Sequence, residues 1–203
     1  MKSFSEIETV SKRSSRAAGY SWGVAEEIGK NIRLLEMFSL EGIKNLNFFF
    51  KKKNKLKLGS ISLIVKDNQL KDREYCPIMT GVSFLDQIKT LENMKEIKFK
   101  NISYPLLFLP FVSRASEVIG KKILLKLDAN EFILNFNISI FSNYSKNKAI
   151  ESSKNIYIKI LDNTDSFKEN EWKELYKLSE EIFVEETERL KQAGAGAGLS
   201  DND

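Results

Sequence analysis

The stretch ILLKLDANEFILNFNISIF (residues 123–141) decides the fold class of this chain. From Phe132 to Phe141, apolar side chains alternate with asparagine and serine, and this period of two predicts one strand with a buried face and a wet face. The predicted buried face consists of Phe132, Leu134, Phe136, Ile138 and Ile140. Residues 128–131 join this strand to Ile123–Leu127 as a predicted hairpin. Because one face is wet, the sheet should be antiparallel or mixed.

The same period of two predicts further strands on both sides of this hairpin. They are marked by Ile61, Leu63 and Val65, by Ile97 and Phe99, and by Ile156, Ile158 and Ile160. Helical periods interrupt them. One predicted helix is capped by Ser83 and carries an apolar face from Phe84 to Leu91. Another runs from Glu169 to about Phe183, and its inward face should consist of Trp172, Leu175, Leu178 and Ile182.

The first fifty residues have helical periods. Ser3 and Glu6 have the spacing of a capping box, and Gly19 suits the end of the first helix. Ser21 can cap a second helix, and a third helix is predicted from Glu41 to Phe50. The second helix carries an apolar stripe made of Val24, Ile28, Ile32 and Leu35. Together, the first two segments predict a helical hairpin whose small residues allow close approach.

These elements predict an α+β protein with an N-terminal helical hairpin, an antiparallel or mixed sheet, and a C-terminal helix plus tail. We expect a single domain over residues 1–203, because the chain has no internal repeat and no linker rich in glycine, serine or proline. Its three regions are the helical hairpin region (1–50), the sheet with interspersed helices (56–161), and the C-terminal helix and tail (168–203).

The composition excludes several classes of site. The chain has no histidine, so it cannot form a Ser-His-Asp triad, a Cys-His dyad or an imidazole-ligated zinc site. Its single cysteine gives no sign of an oxidising compartment. No signal peptide or membrane-spanning stretch is predicted, so we expect a cytoplasmic protein that does not bind a membrane. No metal site and no cofactor are predicted.

The net charge of +4, from 32 basic and 28 acidic residues, is too small to indicate nucleic-acid binding. One basic cluster, KKKNKLK (51–57), is compatible with a phosphate-binding stripe. It is equally typical of a solvated loop before an edge strand, where lysines block pairing with another sheet. No aromatic residue is interleaved for base stacking, and we therefore favour the solvated loop.

The chain ends in GAGAGLSDND (194–203). This string lacks the strand before it and the helix after it that a dinucleotide-binding motif requires. Its small residues permit close backbone approach, and we favour docking of the tail against residues 13–33 over the alternative of a mobile, solvated tail. Gly196, Asp201 and Asp203 are therefore candidate ligand-binding or docking residues.

The helical hairpin carries a second group of candidates. Glu26 and Glu27 lie near cationic residues on the same helix, and paired carboxylates beside arginines can perform acid–base chemistry or hold an anion. The candidate binding residues here are Arg16, Trp22 and Arg33. The more common outcome for such a pattern is a surface network of ion pairs.

Cys76 precedes Pro77 in a turn before a predicted helix. A thiol at a helix N-terminus can act as a nucleophile, which makes Cys76 a candidate catalytic residue. Buried free cysteine is the ordinary outcome, and the apolar neighbours Ile78 and Met79 favour slow labelling by iodoacetamide. Rapid labelling would favour an enzyme.

Three stretches carry a resemblance to a known family: SWGVAEE (21–27) in the hairpin, the Cys76-Pro77 turn with Gly81, and the ending GAGAGLSDND. Together they resemble an uncharacterised bacterial family, a domain of unknown function. The resemblance implies no activity and no cofactor. It indicates that the two ends of the chain and Cys76 are the places to look for a site.

Two functions follow from these patterns. The first is a binding or accessory subunit that recognises a protein partner, a second copy of itself or a small anionic ligand. The alternative is an enzyme that acts on a small anionic metabolite through Cys76 or through the carboxylates of Glu26 and Glu27. An enzyme should show a closed cleft lined by these groups.

Overall fold

A computed structural model describes residues 2–145 and 150–182. The chain divides into two compact units, Met1–Asn163 and Thr164–Asp203, and each is described by itself. No helix of the described residues is long and apolar enough to cross a membrane.

The N-terminal region is helical, as predicted. Its helices are α1 (Phe4–Ala17), α2 (Trp22–Met37) and α3 (Gly42–Lys52). The Ser3 hydroxyl accepts a hydrogen bond from the Glu6 N–H at 3.1 Å, and the Ser21 hydroxyl accepts one from the Val24 N–H at 3.4 Å. These caps satisfy N–H groups that have no partner within the helix. The predicted starts of the first two helices are therefore confirmed.

Close approach of α1 and α2 depends on Gly29. A Cβ atom at this position would lie 2.8 Å from the Glu8 carbonyl oxygen, whereas a Cβ at Gly23 would meet nothing within 4 Å. The small residues of SWGVAEE (21–27) predicted the close approach at the start of α2, but it occurs further along this helix, at Gly29. The apolar stripe faces inward as expected, since Ile28, Ile32 and Leu35 are buried.

The remainder of the first unit is a mixed eight-stranded sheet with two further α-helices, which confirms the predicted α+β class. The strands are β1 (Leu58–Gly59), β2 (Asp67–Asn68), β3 (Glu74–Tyr75), β4 (Glu96–Ser103), β5 (Ile123–Leu127), β6 (Asn130–Asn135), β7 (Ser139–Ser142) and β8 (Ser152–Ile160). The helices are α4 (Pro77–Leu91) and α5 (Leu109–Ile119). The strand order is β1-β3-β4-β8-β5-β6-β7, and β2 pairs with β4 off this path.

Parallel pairing is confined to one end of the sheet. β1 pairs with β3, and both β2 and β3 pair with β4, in parallel. The pairs from β4 through β8, β5 and β6 to β7 are antiparallel. One row of paired residues across β4, β8, β5 and β6 has polar side chains that are not buried, as predicted for the face of the sheet in contact with water. This row consists of Lys98, Tyr157, Lys126 and Glu131.

The core lies on the opposite face of the sheet, where aromatic rings join it to α4. Phe99 on β4 meets Phe108 edge-on with ring centroids 5.8 Å apart, and Phe108 meets Phe84 of α4 at the same distance. Gly81 lets α4 reach α5, because a Cβ there would lie 2.2 Å from the Phe111 ring. This contact fixes the position of α4, whose first residue follows Cys76.

The prediction of one strand from Phe132 to Phe141 is wrong. The segment is a hairpin of β6 and β7, and the turn between them contains Phe136 and Asn137, both with positive φ (51° and 59°). Positive φ at both central residues is typical of the tight turns that match strand twist. Phe132 and Leu134 are buried as predicted, but Ile138 is 76% exposed at the turn.

The segment around Ile61, Leu63 and Val65 is not a strand. Side chains satisfy its backbone: the Ile64 N–H donates to Gln87 at 3.1 Å, and the Ile61 carbonyl accepts from the Ser83 hydroxyl at 2.8 Å. Ser83 lies within α4, and its hydroxyl donates to this segment, so it does not cap the helix, contrary to the prediction. The helix starts earlier because Pro77, whose ring favours the first helical position, follows Cys76.

The described part of the second unit is built around α6 (Glu169–Glu180). The Lys168 N–H donates to the Glu171 carboxylate at 2.6 Å, and the rings of Phe167 and Trp172 stack with centroids 5.6 Å apart. These contacts fix the start of the helix. The residues of the predicted inward face are exposed within the described part of this unit, and their burial stays a prediction. These residues are Trp172, Leu175, Leu178 and Ile182.

Candidate functional site

The α1–α2 turn and the start of α4 meet at one cavity of about 510 Å³, which we call the Cys76 cleft. Two of the three stretches that carry the family resemblance therefore lie on one site. The wall is formed by Gly19, Tyr20, Ser21, Val24, Lys53, Leu58, Gly59, Ser60, Cys76 and Met79.

The turn that forms one wall is fixed by local sequence. Gly19 has a φ of +95°, a conformation that side chains disfavour, and the Tyr20 N–H donates to the Ser15 carbonyl at 3.2 Å. The Arg16 guanidinium donates to the Tyr20 carbonyl at 2.8 Å. Tyr20 is thereby held between the end of α1 and the cap of α2.

The Tyr20 side chain is buried beside Cys76. Burial raises the pKa of Tyr20 above its ordinary value, and the neighbouring Cys76 thiol raises it further. No oxygen or nitrogen atom of the described residues bonds to this hydroxyl. Tyr20 therefore keeps its proton at neutral pH, so it can donate a hydrogen bond but cannot act as a base.

Lys53 supplies a positive charge to the cleft. Its ammonium group lies 4.2 Å from the centre of the Tyr20 ring and donates to the Ala18 carbonyl at 3.0 Å. None of the ion pairs within residues 2–145 and 150–182 involves Lys53. Its charge is thus held in place without a carboxylate partner.

The start of α4 adds partial positive charge. Cys76 is the N-cap residue, but its side chain makes no capping hydrogen bond, unlike those of Ser3 and Ser21. Pro77 has no N–H and the Cys76 N–H donates to the Gly59 carbonyl, so the N–H groups of Ile78 and Met79 are those without an intrahelical partner, and the helix dipole adds to their field. Met79, in this first turn, lies on the wall of the cleft. The thiol itself is buried, as the sequence predicted.

These parts make the cleft suited to an anionic group on an apolar body. The positive end of α4 and the Lys53 ammonium favour negative charge. Val24, Leu58 and Met79, with the Tyr20 ring, offer apolar surface. Few precisely placed polar groups on a largely apolar wall are typical of small-molecule sites.

The remaining hairpin candidates lie outside this cleft. The Arg16 guanidinium lies 5.4 Å from the centre of the Trp22 ring, and Trp22 is largely exposed. Arg33 pairs with Glu8 across α1 and α2 at 2.8 Å. Neither Arg33 nor the Arg16–Trp22 pair contributes to the Cys76 cleft wall.

Glu26 and Glu27 belong to a network of ion pairs on α1, α2 and α5. Glu26 pairs with Lys12 at 3.1 Å and with Lys30 at 3.3 Å, while Glu27 pairs with Lys30 and with Arg114 of α5. Hydrogen bonds from Lys12 and then from Lys30 hold the pKa of Glu26 below its ordinary value. Both carboxylates are occupied by structural partners, and the structure does not bring them to Cys76.

The third stretch, the ending with Gly196, Asp201 and Asp203, lies outside the described residues, as does its predicted docking. Among the residues that are described, no group of three or more cysteine, aspartate or glutamate side chains is arranged to hold a metal ion.

Sequence reasoning missed Tyr20 and Lys53 as site residues. Lys53 was grouped with a solvated basic loop, but the first part of that cluster is helical: α3 continues to Lys52, and a short 3₁₀ turn covers Lys53–Lys55. The cluster does lead into an edge strand, β1, as predicted. The signal for Tyr20 was its place between Gly19 and Ser21, where a helix end and a helix cap restrict the backbone.

Comparisons with known proteins gave a family match over the N-terminal third of the chain. No curated protein and no solved structure matches the chain. Residues 2–75 match the model of one family, a match that spans α1 to β3 and ends one residue before Cys76. That family is described as a protein of unknown function (DUF3726), which confirms the predicted resemblance to an uncharacterised family over the matched residues; the Cys76-Pro77 turn and the ending lie outside the match.

Proposed function

We propose that this chain is a binding subunit whose Cys76 cleft holds a small anionic ligand with an apolar body. The observation that carries this proposal is the position of Lys53: an ammonium group fixed by Tyr20 and the Ala18 carbonyl, on the wall of a cavity, without a carboxylate partner among the described residues. Fixing the Lys53 side chain in one position costs conformational entropy. A charge-assisted hydrogen bond from Lys53 to an anionic ligand offsets this cost.

The apolar part of the wall sets the class of ligand. Val24, Leu58 and Met79 give the ligand apolar contacts, while the uncapped start of α4 receives its negative end. A short aliphatic carboxylate has both features. An inorganic anion would leave the apolar wall unused, and a neutral lipid would leave Lys53 uncompensated.

The alternative is a thiol enzyme, and the presence of Cys76 at the start of α4 favours it. Such an enzyme needs a base to take the thiol proton, and Tyr20 cannot serve because burial keeps it protonated. The chain contains no histidine, and neither Glu26 nor Glu27 lines the cleft. These observations favour binding over catalysis.

Cys76 is the only cysteine, so its alkylation reports on this cleft alone. We expect anionic iodoacetate to be favoured over neutral iodoacetamide more strongly at Cys76 than at an uncharged free thiol such as the amide of N-acetylcysteine. Replacing Lys53 by methionine should lower the iodoacetate-to-iodoacetamide rate ratio about fivefold, the factor for about 1 kcal/mol of charge interaction. Mass spectrometry of the labelled protein gives both rates.

The matched control is Lys51→Met, because Lys51 is an exposed lysine near the end of α3, two residues before Lys53. An equal ratio for Lys53→Met, Lys51→Met and the unaltered chain would contradict the proposal. Iodoacetamide labelling faster than that of the amide of N-acetylcysteine would favour the thiol enzyme instead.

A further inference from the structure

A second cavity is lined mainly by the residues that precede β1 and β3. It is a groove of about 610 Å³, which we call the basic groove. Four cationic side chains line it, from the end of the lysine cluster and from the segment before β3. They are Lys55, Lys57, Lys71 and Arg73.

The parallel pairing of β1 with β3 places Lys57 opposite Arg73. Leu58 pairs with Glu74, so Lys57 and Arg73 are the residues immediately before that pair. The Glu74 N–H donates to the Lys57 carbonyl at 3.1 Å, which fixes this register. Lys55 and Lys71 lie two residues further back on each side. Like charges at opposing positions destabilise a sheet edge.

The repulsion is not relieved within the described part of the chain. None of the four cationic side chains forms an ion pair or a hydrogen bond with residues 2–145 or 150–182. Two carboxylates also line the groove, and one of them, Glu74, accepts a hydrogen bond from Ser152 at 3.0 Å. Cations therefore exceed carboxylates by two.

The composition of the wall points to a charge-dense ligand. Its apolar side chains are Leu56 and Leu70, and the described residues of the wall include no aromatic ring on which a base or sugar could stack. Arg73 offers the planar fork that pairs with two oxygens of one phosphate, and the lysines act as point charges around it. We propose that the basic groove binds a small molecule with several phosphate groups, a site separate from the Cys76 cleft.

Tripolyphosphate is a suitable probe, and isothermal titration calorimetry at low salt measures its binding. We expect a saturable site whose dissociation constant rises at least tenfold when Lys57→Gln and Arg73→Gln are combined. Raising the salt concentration should also weaken binding, since screening acts on exposed charges.

The control is the double variant Lys89→Gln with Lys154→Gln, which removes two exposed lysines elsewhere and changes the net charge equally. A charge-preserving pair, Lys57→Arg with Arg73→Lys, should retain binding, and thermal melting of each variant checks that it is folded. The proposal is overturned if tripolyphosphate shows no saturable binding or if the two glutamine pairs weaken it equally. It is also overturned if citrate or a glutamate-rich peptide binds more tightly than tripolyphosphate at the same salt concentration.

Discussion

The α1–α2–α5 surface and the Cys76 cleft use charge in opposite ways. On the surface, Glu26 and Glu27 each pair with two cations, and Arg33 pairs with Glu8. In the cleft, Lys53 is held by a carbonyl oxygen and an aromatic ring and has no described carboxylate partner. Paired charges join helices to one another, whereas a fixed but uncompensated charge is available to a ligand. The difference distinguishes ion-paired charges from one that is unpaired among the described residues, which the sequence pattern did not do.

The largest expected effect concerns the packing on which the cleft depends. Gly81→Ala places a Cβ atom against the Phe111 ring at 2.2 Å, where the ring cannot move without displacing the core. We expect a loss of about 1–3 kcal/mol in the free energy of unfolding, measured by urea denaturation. Because Cys76 is the N-cap residue of α4, a shift of this helix should loosen the packing around the thiol. Iodoacetamide should then label Cys76 faster.

Gly23→Ala is the matched control for this change. A Cβ there meets nothing within 4 Å, and alanine favours the helix over glycine by up to about 1 kcal/mol. The variant should be as stable as the unaltered chain or more so. Equal stability for Gly81→Ala and Gly23→Ala would show that α4 does not depend on this contact.

A smaller effect is expected from the paired charges themselves. Glu27→Gln removes the carboxylate that joins Lys30 and Arg114 across α2 and α5, and both partners are partly shielded from water. We expect a loss of about 1–2 kcal/mol in unfolding free energy. Lys53→Met, which keeps the aliphatic stem and removes only the charged end, should cost no more than half as much.

Asp162→Asn provides the baseline for an exposed pair, because Asp162 and Lys95 are 3.8 Å apart and both about 70% exposed. Its unfolding free energy should be unchanged within about 0.5 kcal/mol. If Lys53→Met proved more destabilising than Glu27→Gln, Lys53 would be a structural charge and the contrast between the two regions would fail.

Local sequence signals predicted the N-terminal helices well. Caps at Ser3 and Ser21 and the glycine at position 19 act within a few residues, so the spacing alone indicated where α1 ends and α2 begins. The strand β5 was likewise predicted with its observed bounds. Periodicity failed at Phe136, because a hairpin turn there preserves the alternation of apolar and polar residues while reversing the chain.

The site depended on contacts that no local pattern reveals. Tyr20 and Lys53 are separated by more than thirty residues, and Cys76 joins them through long-range contacts such as the hydrogen bond from its N–H to the Gly59 carbonyl at 3.0 Å. The basic groove arises in the same way. Lys57 and Arg73 meet through a parallel pair of two-residue strands, and such short strands carry no periodicity of their own.

The central claim is that the Cys76 cleft binds an anion with an apolar body, and ligand protection of Cys76 tests it most directly. Iodoacetamide labelling is measured with increasing hexanoate, and with hexylamine as a cation of the same length. We expect saturable slowing by hexanoate, little slowing by hexylamine, and loss of the hexanoate effect in Lys53→Met. Equal protection by the two compounds, or protection by hexanoate that persists in Lys53→Met, would contradict it.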